Sequence, residues 1–186
     1  SRSLTITAGT GDVRLRGTVG QTAELSSLTI SCVKVTVEKD VTTNAAAGVS
    51  ISAAGEIRLG DDTVANGSGA MTVNTLAGNG TVTLSTPVVY LDDAVTFTRG
   101  SGAISVSSNL YSNSGERNNL SFNGAGGGVI SVGLELGGGS AGSATSLGDI
   151  LISSVTDLNF QRNVSARSLT SLNGTGRIYI GGSNRL

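Results

Sequence analysis

The sequence predicts an all-β chain wound as a parallel β-helix, a solenoid of short strands and corners, with an antiparallel β-sandwich as the alternative. Three observations carry the prediction. Apolar-polar-apolar bursts such as Leu4-Thr5-Ile6, Val13-Arg14-Leu15, Leu28-Thr29-Ile30 and Val35-Thr36-Val37 have the period of two that marks strands. The bursts are separated by Gly, Ser, Thr and Asn, and the 186 residues hold 28 Gly against one Pro, which is corner chemistry without rigid breaks. Three Phe, three Tyr and no Trp leave Val, Ile, Leu and Ala to fill the interior. Such a core suits coils that stack at ~4.8 Å, placing like residues over like. Short, evenly spaced strands and long internal repeats favour the coil over the sandwich.

Taken in order, the first strand at Leu4 gives way to a glycine-framed turn and a second strand, Gly9-Thr10-Gly11-Asp12-Val13-Arg14-Leu15-Arg16-Gly17. The frame returns around Gly55 to Gly60, Gly78 to Leu84, Gly100 to Val106 and Gly174 to Gly181. Glycine is expected there because it accepts positive φ without a steric penalty. No helical pattern follows any of these frames, so they lack the helix N-terminus that a phosphate cradle requires.

Between Cys32 and Val33 the apolar set of the run Leu28–Val37 switches from even to odd positions. A straight strand that did this would turn itself inside out, so a bend or bulge is expected at that point. The middle continues the same grammar through Met71-Thr72-Val73, Val82-Thr83-Leu84, Val88-Val89-Tyr90-Leu91, Val95-Thr96-Phe97 and Ile104-Ser105-Val106. A longer echo aligns Leu4 with Leu120, Leu25 with Leu147 and Gly55 with Gly176, with insertions expected in loops. No Pro-rich linker or charge run marks a boundary. The expectation is one elongated domain over 1–186 with an internal repeat, 4–60 and 120–181. Segments with helix formers, such as Glu38–Ala47, are cut short by Asp, Asn and paired Thr.

The formal charge of −1, with only 13% of residues charged, offers no basic field for nucleic acid or anionic lipid. Uncharged stretches are broken by Gly and Asn, so no membrane insertion is expected. The opening Ser1-Arg2-Ser3-Leu4 enters mid-pattern, as a segment of a longer chain or a processed subunit would. Cys32 is the single cysteine and there is no histidine, which removes an intrachain disulfide, a cysteine zinc site and imidazole chemistry. Cys32 reads as a buried structural thiol.

Chemistry on such a scaffold would need carboxylates converging on one face. The acidic pairs Asp61-Asp62 and Asp92-Asp93 follow strand-like segments and read as solvated corners. Asp12, Arg14, Arg16, Glu56 and Arg58 recur at equivalent frame positions and would stack into an exposed charged stripe, and Lys34 to Asp40 reads as a wet strand edge. The pairs Thr5/Thr7, Thr81/Thr83 and Thr96/Thr98 would form a hydroxyl array suited to ice or a crystalline glycan, although β-propensity alone also accounts for them. Tyr90, Tyr111 and Tyr179 are, apart from Phe, the candidate stacking platforms for sugar. No catalytic, cofactor-binding or metal-ligating residue is assigned, and no cofactor is expected.

The run Leu4–Ile30, with its strand, Gly-x-Gly turn, second strand, Gly, spacer and Leu-x-x-Leu-Thr-Ile, resembles repeats of large bacterial surface proteins of the filamentous haemagglutinin type. That resemblance implies a right-handed parallel β-helix, secretion to the cell surface or beyond, and a non-catalytic role as stalk, adhesin or filament. The expected function is a non-enzymatic structural or adhesive segment, a rigid stalk or self-associating filament unit. The expected partners are adjacent segments or copies stacked end to end, and surface glycans or proteins. The alternative is a glycan-binding or polysaccharide-degrading β-helix domain.

Overall fold

The computed structural model describes residues 2–62, 69–125, 128–138, 143–172 and 176–181. Sixteen strands and no helix form among them. In chain order these are β1 (Arg2–Thr7), β2 (Asp12–Leu15), β3 (Leu25–Val37), β4 (Val41–Leu59), β5 (Ala70–Thr75), β6 (Val82–Ser85), β7 (Val88–Leu91) and β8 (Ala94–Arg99). They continue as β9 (Ile104–Val106), β10 (Asn109–Ser112), β11 (Leu120–Gly124), β12 (Val129–Val132), β13 (Leu147–Ser153), β14 (Asp157–Phe160), β15 (Ala166–Leu172) and β16 (Ile178–Ile180).

The pairings fall into three series. The first runs from β1 through residues 27–32 of β3 and 48–53 of β4 to β6, β9, β12, β14 and β16. The second runs from β2 through residues 34–37 of β3 and 56–59 of β4 to β7 and β10, then through bridges at Leu136 and Val164. The third begins with the Val19–Val41 bridge and passes through β5, β8, β11 and β13 to β15. The chain visits first, second and third in turn and then re-enters the first beside its previous passage. We call each such passage a layer.

Every ladder among the described residues is parallel, which overturns the antiparallel sandwich. Hairpin neighbours pair antiparallel, whereas here each strand's hydrogen-bonded neighbour lies a full circuit away: Leu4 pairs Leu28, 24 residues on, and Leu158 pairs Ile178, 20 residues on. The spacing stretches to 33 between Val49 and Val82 while the register inside the strands holds. Length variation is therefore absorbed at the corners.

The core follows from that register. Leu28, Val49, Val82, Ile104, Ile130 and Leu158 lie over one another in the first series, and all are buried. Val35, Ile57, Val89, Leu110, Leu136 and Val164 do the same in the second. In the third, Phe97 and Phe122 stack with ring centroids 5.6 Å apart and planes 14° from parallel. These residues belong to one continuous cluster. Burial of such side chains stabilises by roughly 1.5–3 kcal/mol each before the entropy of ordering is set against it.

The bend expected after Cys32 is present. The β3–β4 register skips between Cys32 and Lys34, so Cys32 faces Ala53 while Lys34 faces Glu56. This lets Cys32 and Val35 both point into the core on either side of the corner.

Candidate functional site

With the apolar side chains turned inward, the outward positions decide what each series can contact. In the second series, successive layers bring charges and rings into register. Asp12 faces Lys34, which faces Glu56, and the Lys34 ammonium lies 2.5 Å from the Glu56 carboxylate. The Arg14 guanidinium donates to Glu38, whose side chain is 8% exposed. Arg58 donates from Nε to Asp92 Oδ2 at 2.8 Å and from its terminal nitrogen to Oδ1 at 2.5 Å. Its guanidinium also lies 5.2 Å from the Tyr90 ring centre. Tyr90 sits 6.3 Å from Tyr111 at 57°, and Tyr111 Oη donates to Glu135 at 2.9 Å. The expected exposed stripe holds in part: Asp12 and Arg14 are exposed, but Glu56 and Arg58 are half-buried, and the row extends into a chain of ion pair, cation–π contact and hydrogen bond.

The electrostatics follow from that chain. Burial would lower the Arg58 pKa, and the Asp92 hydrogen bond and charge, helped by Glu56 and Asp62, more than reverse it. Burial pushes Asp92 up from 3.8 to about 6 against the pull of Arg58, and the charges of Asp62 and Glu116 add to the rise. Burial, then the Glu135 hydrogen bond and charge, raise Tyr111 to about 12. Both Asp92 oxygens are taken by Arg58, so this carboxylate holds two layers together and is not free to exchange a proton with a bound substrate.

The acidic pairs differ from the sequence expectation. Asp62 is exposed, but Asp92 and Asp93 are 0% and 2% exposed. Neighbouring positions point to opposite sides: Asp92 reaches Arg58, while Asp93 Oδ2 accepts the Asp61 backbone N–H at 2.8 Å. Among the described residues no group of three or more His, Cys, Asp or Glu is placed to hold a metal ion. Cys32 is buried, and burial followed by the Asp12 charge raises its thiol pKa above the ordinary value, against a Val13 backbone hydrogen bond that lowers it. This keeps the group in the unreactive thiol form.

The three tyrosines do not converge. Tyr90 and Tyr111 face each other on the second series, with Arg58 against Tyr90, while Tyr179 stands on the first series at 60% exposure. The first series otherwise presents hydroxyls. Thr5, Thr29, Ser50, Thr83, Ser105 and Ser131 occupy one outward row, each paired to the next. Of the Thr pairs named from sequence, Thr5 and Thr7 lie in this face, Thr83 joins it three layers later with Thr81 just ahead of its strand, and Thr96 and Thr98 belong to the third series.

Arg99 was not singled out from sequence. It is fully buried in the third series, where Nη1 donates to the carbonyls of Gly100 at 3.2 Å and Gly102 at 3.0 Å, and Nη2 donates to that of Gly128 at 3.2 Å. Burial lowers its pKa. The signal was available in Ala94-Val95-Thr96-Phe97-Thr98-Arg99, where Arg99 is in phase with the inward Val95 and Phe97.

No family profile, curated protein sequence or solved structure matches the chain.

Proposed function

We propose that the three series close into a right-handed parallel β-helix, and that the chain is a non-enzymatic structural or adhesive segment of a secreted or cell-surface bacterial protein. One observation carries the reading: the path returns to the same series after every circuit, with the same face inward, from β1 to β16. Parallel strands joined by a crossover are right-handed in about 98% of cases, which supplies the hand. The composition adds a near-neutral polar exterior, and the resemblance of Leu4–Ile30 to filamentous-haemagglutinin-type repeats adds the surface role.

Such a rod serves as a stalk, and its ends serve for association. Leu172 and Ile178, in β15 and β16, are 48% and 54% exposed, and Leu4, Ile6 and Leu15 at the opposite end are only half-buried. Among the described residues, the outer edges of β1, β2, β15 and β16 carry no strand. Unpaired edges over apolar residues are a template for another strand, and end-to-end stacking on copies or adjacent segments satisfies both.

Small-angle scattering with negative-stain microscopy tests this. The expected particle is elongated, with eight first-series layers spanning about 35–40 Å at ~4.8 Å each, and it forms longer rods as concentration rises. A compact particle that stays monomeric at all concentrations would count decisively against the reading.

A further inference from the structure

We propose that the outward face of the first series is a docking track for an uncharged, β-linked polysaccharide lying along the strand-stacking axis. This deepens the adhesive half of the proposed function by naming the ligand class and the face that meets it. Beside the row from Thr5 to Ser131 runs a second, Thr7, Ser31, Ser52 and Ser85 in direct pairing. Ser107 extends it, its backbone N–H donating to Leu84 O at 3.1 Å. Hydroxyls therefore repeat at ~4.8 Å from layer to layer and at roughly 6.5–7 Å across the two rows. Most are exposed, with Ser50 and Ser131 half-buried.

Strand formation does not account for this face. Thr is enriched in strands and Ser is not, yet of these eleven residues seven are Ser: 31, 50, 52, 85, 105, 107 and 131. An ordinary solvated sheet face mixes Lys, Glu, Arg and Asp for solubility. Here the outward positions from Ser3 to Ser131 in the first series hold no ionisable residue, while the same circuits place Arg14, Lys34, Glu56 and Arg58 on the second series. Charge has been kept off one wall. Among the described residues, Ser107 alone of the eleven hydroxyls bonds within the chain, to Leu84 O at 3.4 Å.

The far end of the same row names the partner chemistry. Ser131 pairs Asn159, and Asn159 pairs Tyr179. Tyr179, 60% exposed, lines an open depression with Asp157, Asn159, Gln161, Arg162 and Arg177. Asn159 Oδ1 is shielded from solvent and has no hydrogen-bond partner, so the exposed Gln161 amide and Tyr179 ring are the groups open to a ligand. Amides and a carboxylate bind vicinal hydroxyls, and an exposed ring stacks on the C–H face of a pyranose. A straight, neutral, hydroxyl-rich chain complements a straight, hydroxyl-lined track whose ionisable residues, Asp157, Arg162 and Arg177, are confined to one end. A second copy of this chain fits less well, because a strip on the order of 250 Å² falls far short of the roughly 800 Å² per partner of a stable interface. Ice would use the hydroxyl rows and leave the amides, Arg177 and Tyr179 without a role.

The test is retention of the full chain on microcrystalline cellulose and on chitin. Wild-type protein is expected to be retained on at least one, to resist elution by salt because no charge pair is involved, and to be displaced by soluble oligosaccharides that act better as they lengthen. Thr29→Lys with Ser105→Lys places two charges on the track at solvent-facing positions and is expected to weaken retention about tenfold or more, as interrupting a multivalent array does. Tyr179→Ala is expected to weaken it separately, and Thr96→Lys on the third series to leave it unchanged. Circular dichroism confirms that each variant is folded. Absence of retention on both solids, retention unaffected by the paired lysines, or ice-crystal shaping without polysaccharide binding would each overturn the proposal. A rod by scattering that is not retained overturns the track and leaves the stalk reading standing, so the two failures are distinguishable.

Discussion

At the residue scale, the buried polar groups decide how stability responds to mutation and pH. Asp92 is fully buried and depends on Arg58 for both of its charged hydrogen bonds. Removing one partner of such a pair leaves a desolvated charge, so Arg58→Met is expected to cost about 3–5 kcal/mol in urea denaturation at neutral pH. Because the folded-state value of Asp92 is raised from 3.8 to about 6, its protonation favours the folded chain. That contribution is complete below about 3.8 and is lost as pH rises through about 6. Wild-type stability is therefore expected to fall between pH 4 and pH 7 by up to about 3 kcal/mol from this group, and Asp92→Asn is expected to flatten the slope. An unchanged slope in that variant would refute the assignment. Asp149 behaves oppositely: hydrogen bonds from Arg167 and Ser168 hold it at about 2, so its contribution is present above 3.8 and lost only as pH falls through about 2. Arg99→Leu removes the guanidinium donor from the Gly100 and Gly102 carbonyls, while the Gly128 carbonyl keeps the Thr156 N–H at 3.0 Å, and a loss of about 1–3 kcal/mol is expected from the unmet hydrogen bonds.

At the scale of elements, the strands were legible and the reason for the corners was not. Leu4-Thr5-Ile6 or Val82-Thr83-Leu84 declares a strand because alternation is local, and both are strands. The Gly-x-Gly frames were expected for positive φ, which holds at Gly9, with φ +56°. At Gly80 and Gly102 the cause is different. A Cβ on Gly80 would approach the Ala45 carbonyl at 2.6 Å, and one on Gly102 would run into the Gly80 carbonyl and come within 2.5 Å of that of Asn79. Successive layers touch backbone to backbone there, and no local reading reveals it. Gly102→Ala is accordingly expected to lower the unfolding free energy by about 1–3 kcal/mol, while Gly17→Ala, with open space around the new methyl, is expected to be nearly neutral. The same non-locality hid the burial of Asp92 and Asp93. Their corner reads as polar and solvated, but Gly60 and Gly69 of the preceding circuit close over Asp93. The hydroxyl rows were visible only as Thr-x-Thr fragments, since aligning them needs a layer spacing that varies from 21 residues between Thr29 and Ser50 to 33 between Ser50 and Thr83. The 4–60 and 120–181 echo aligns Leu28 with Ile150, which stand in the first and third series. The two segments thus share strand grammar while occupying different walls.

At the scale of the whole molecule, the parallel registers put hydroxyls on the outward side of the first series and charged and aromatic side chains on that of the second, and the proposed coil would stack both along one axis. The proposed coil would suit reach and repeated weak contact, because distance along its axis would grow by a fixed step per layer. Pulsed electron paramagnetic resonance between spin labels tests the step directly. Cysteines placed at Thr5 with Ser105, and at Thr5 with Ser131, in a Cys32→Ala background sit on exposed or half-buried positions of one row, four and five layers apart. The account predicts mean distances of about 19 and 24 Å, rising by ~4.8 Å for the added layer. Distances that fail to lengthen from the first pair to the second would contradict it.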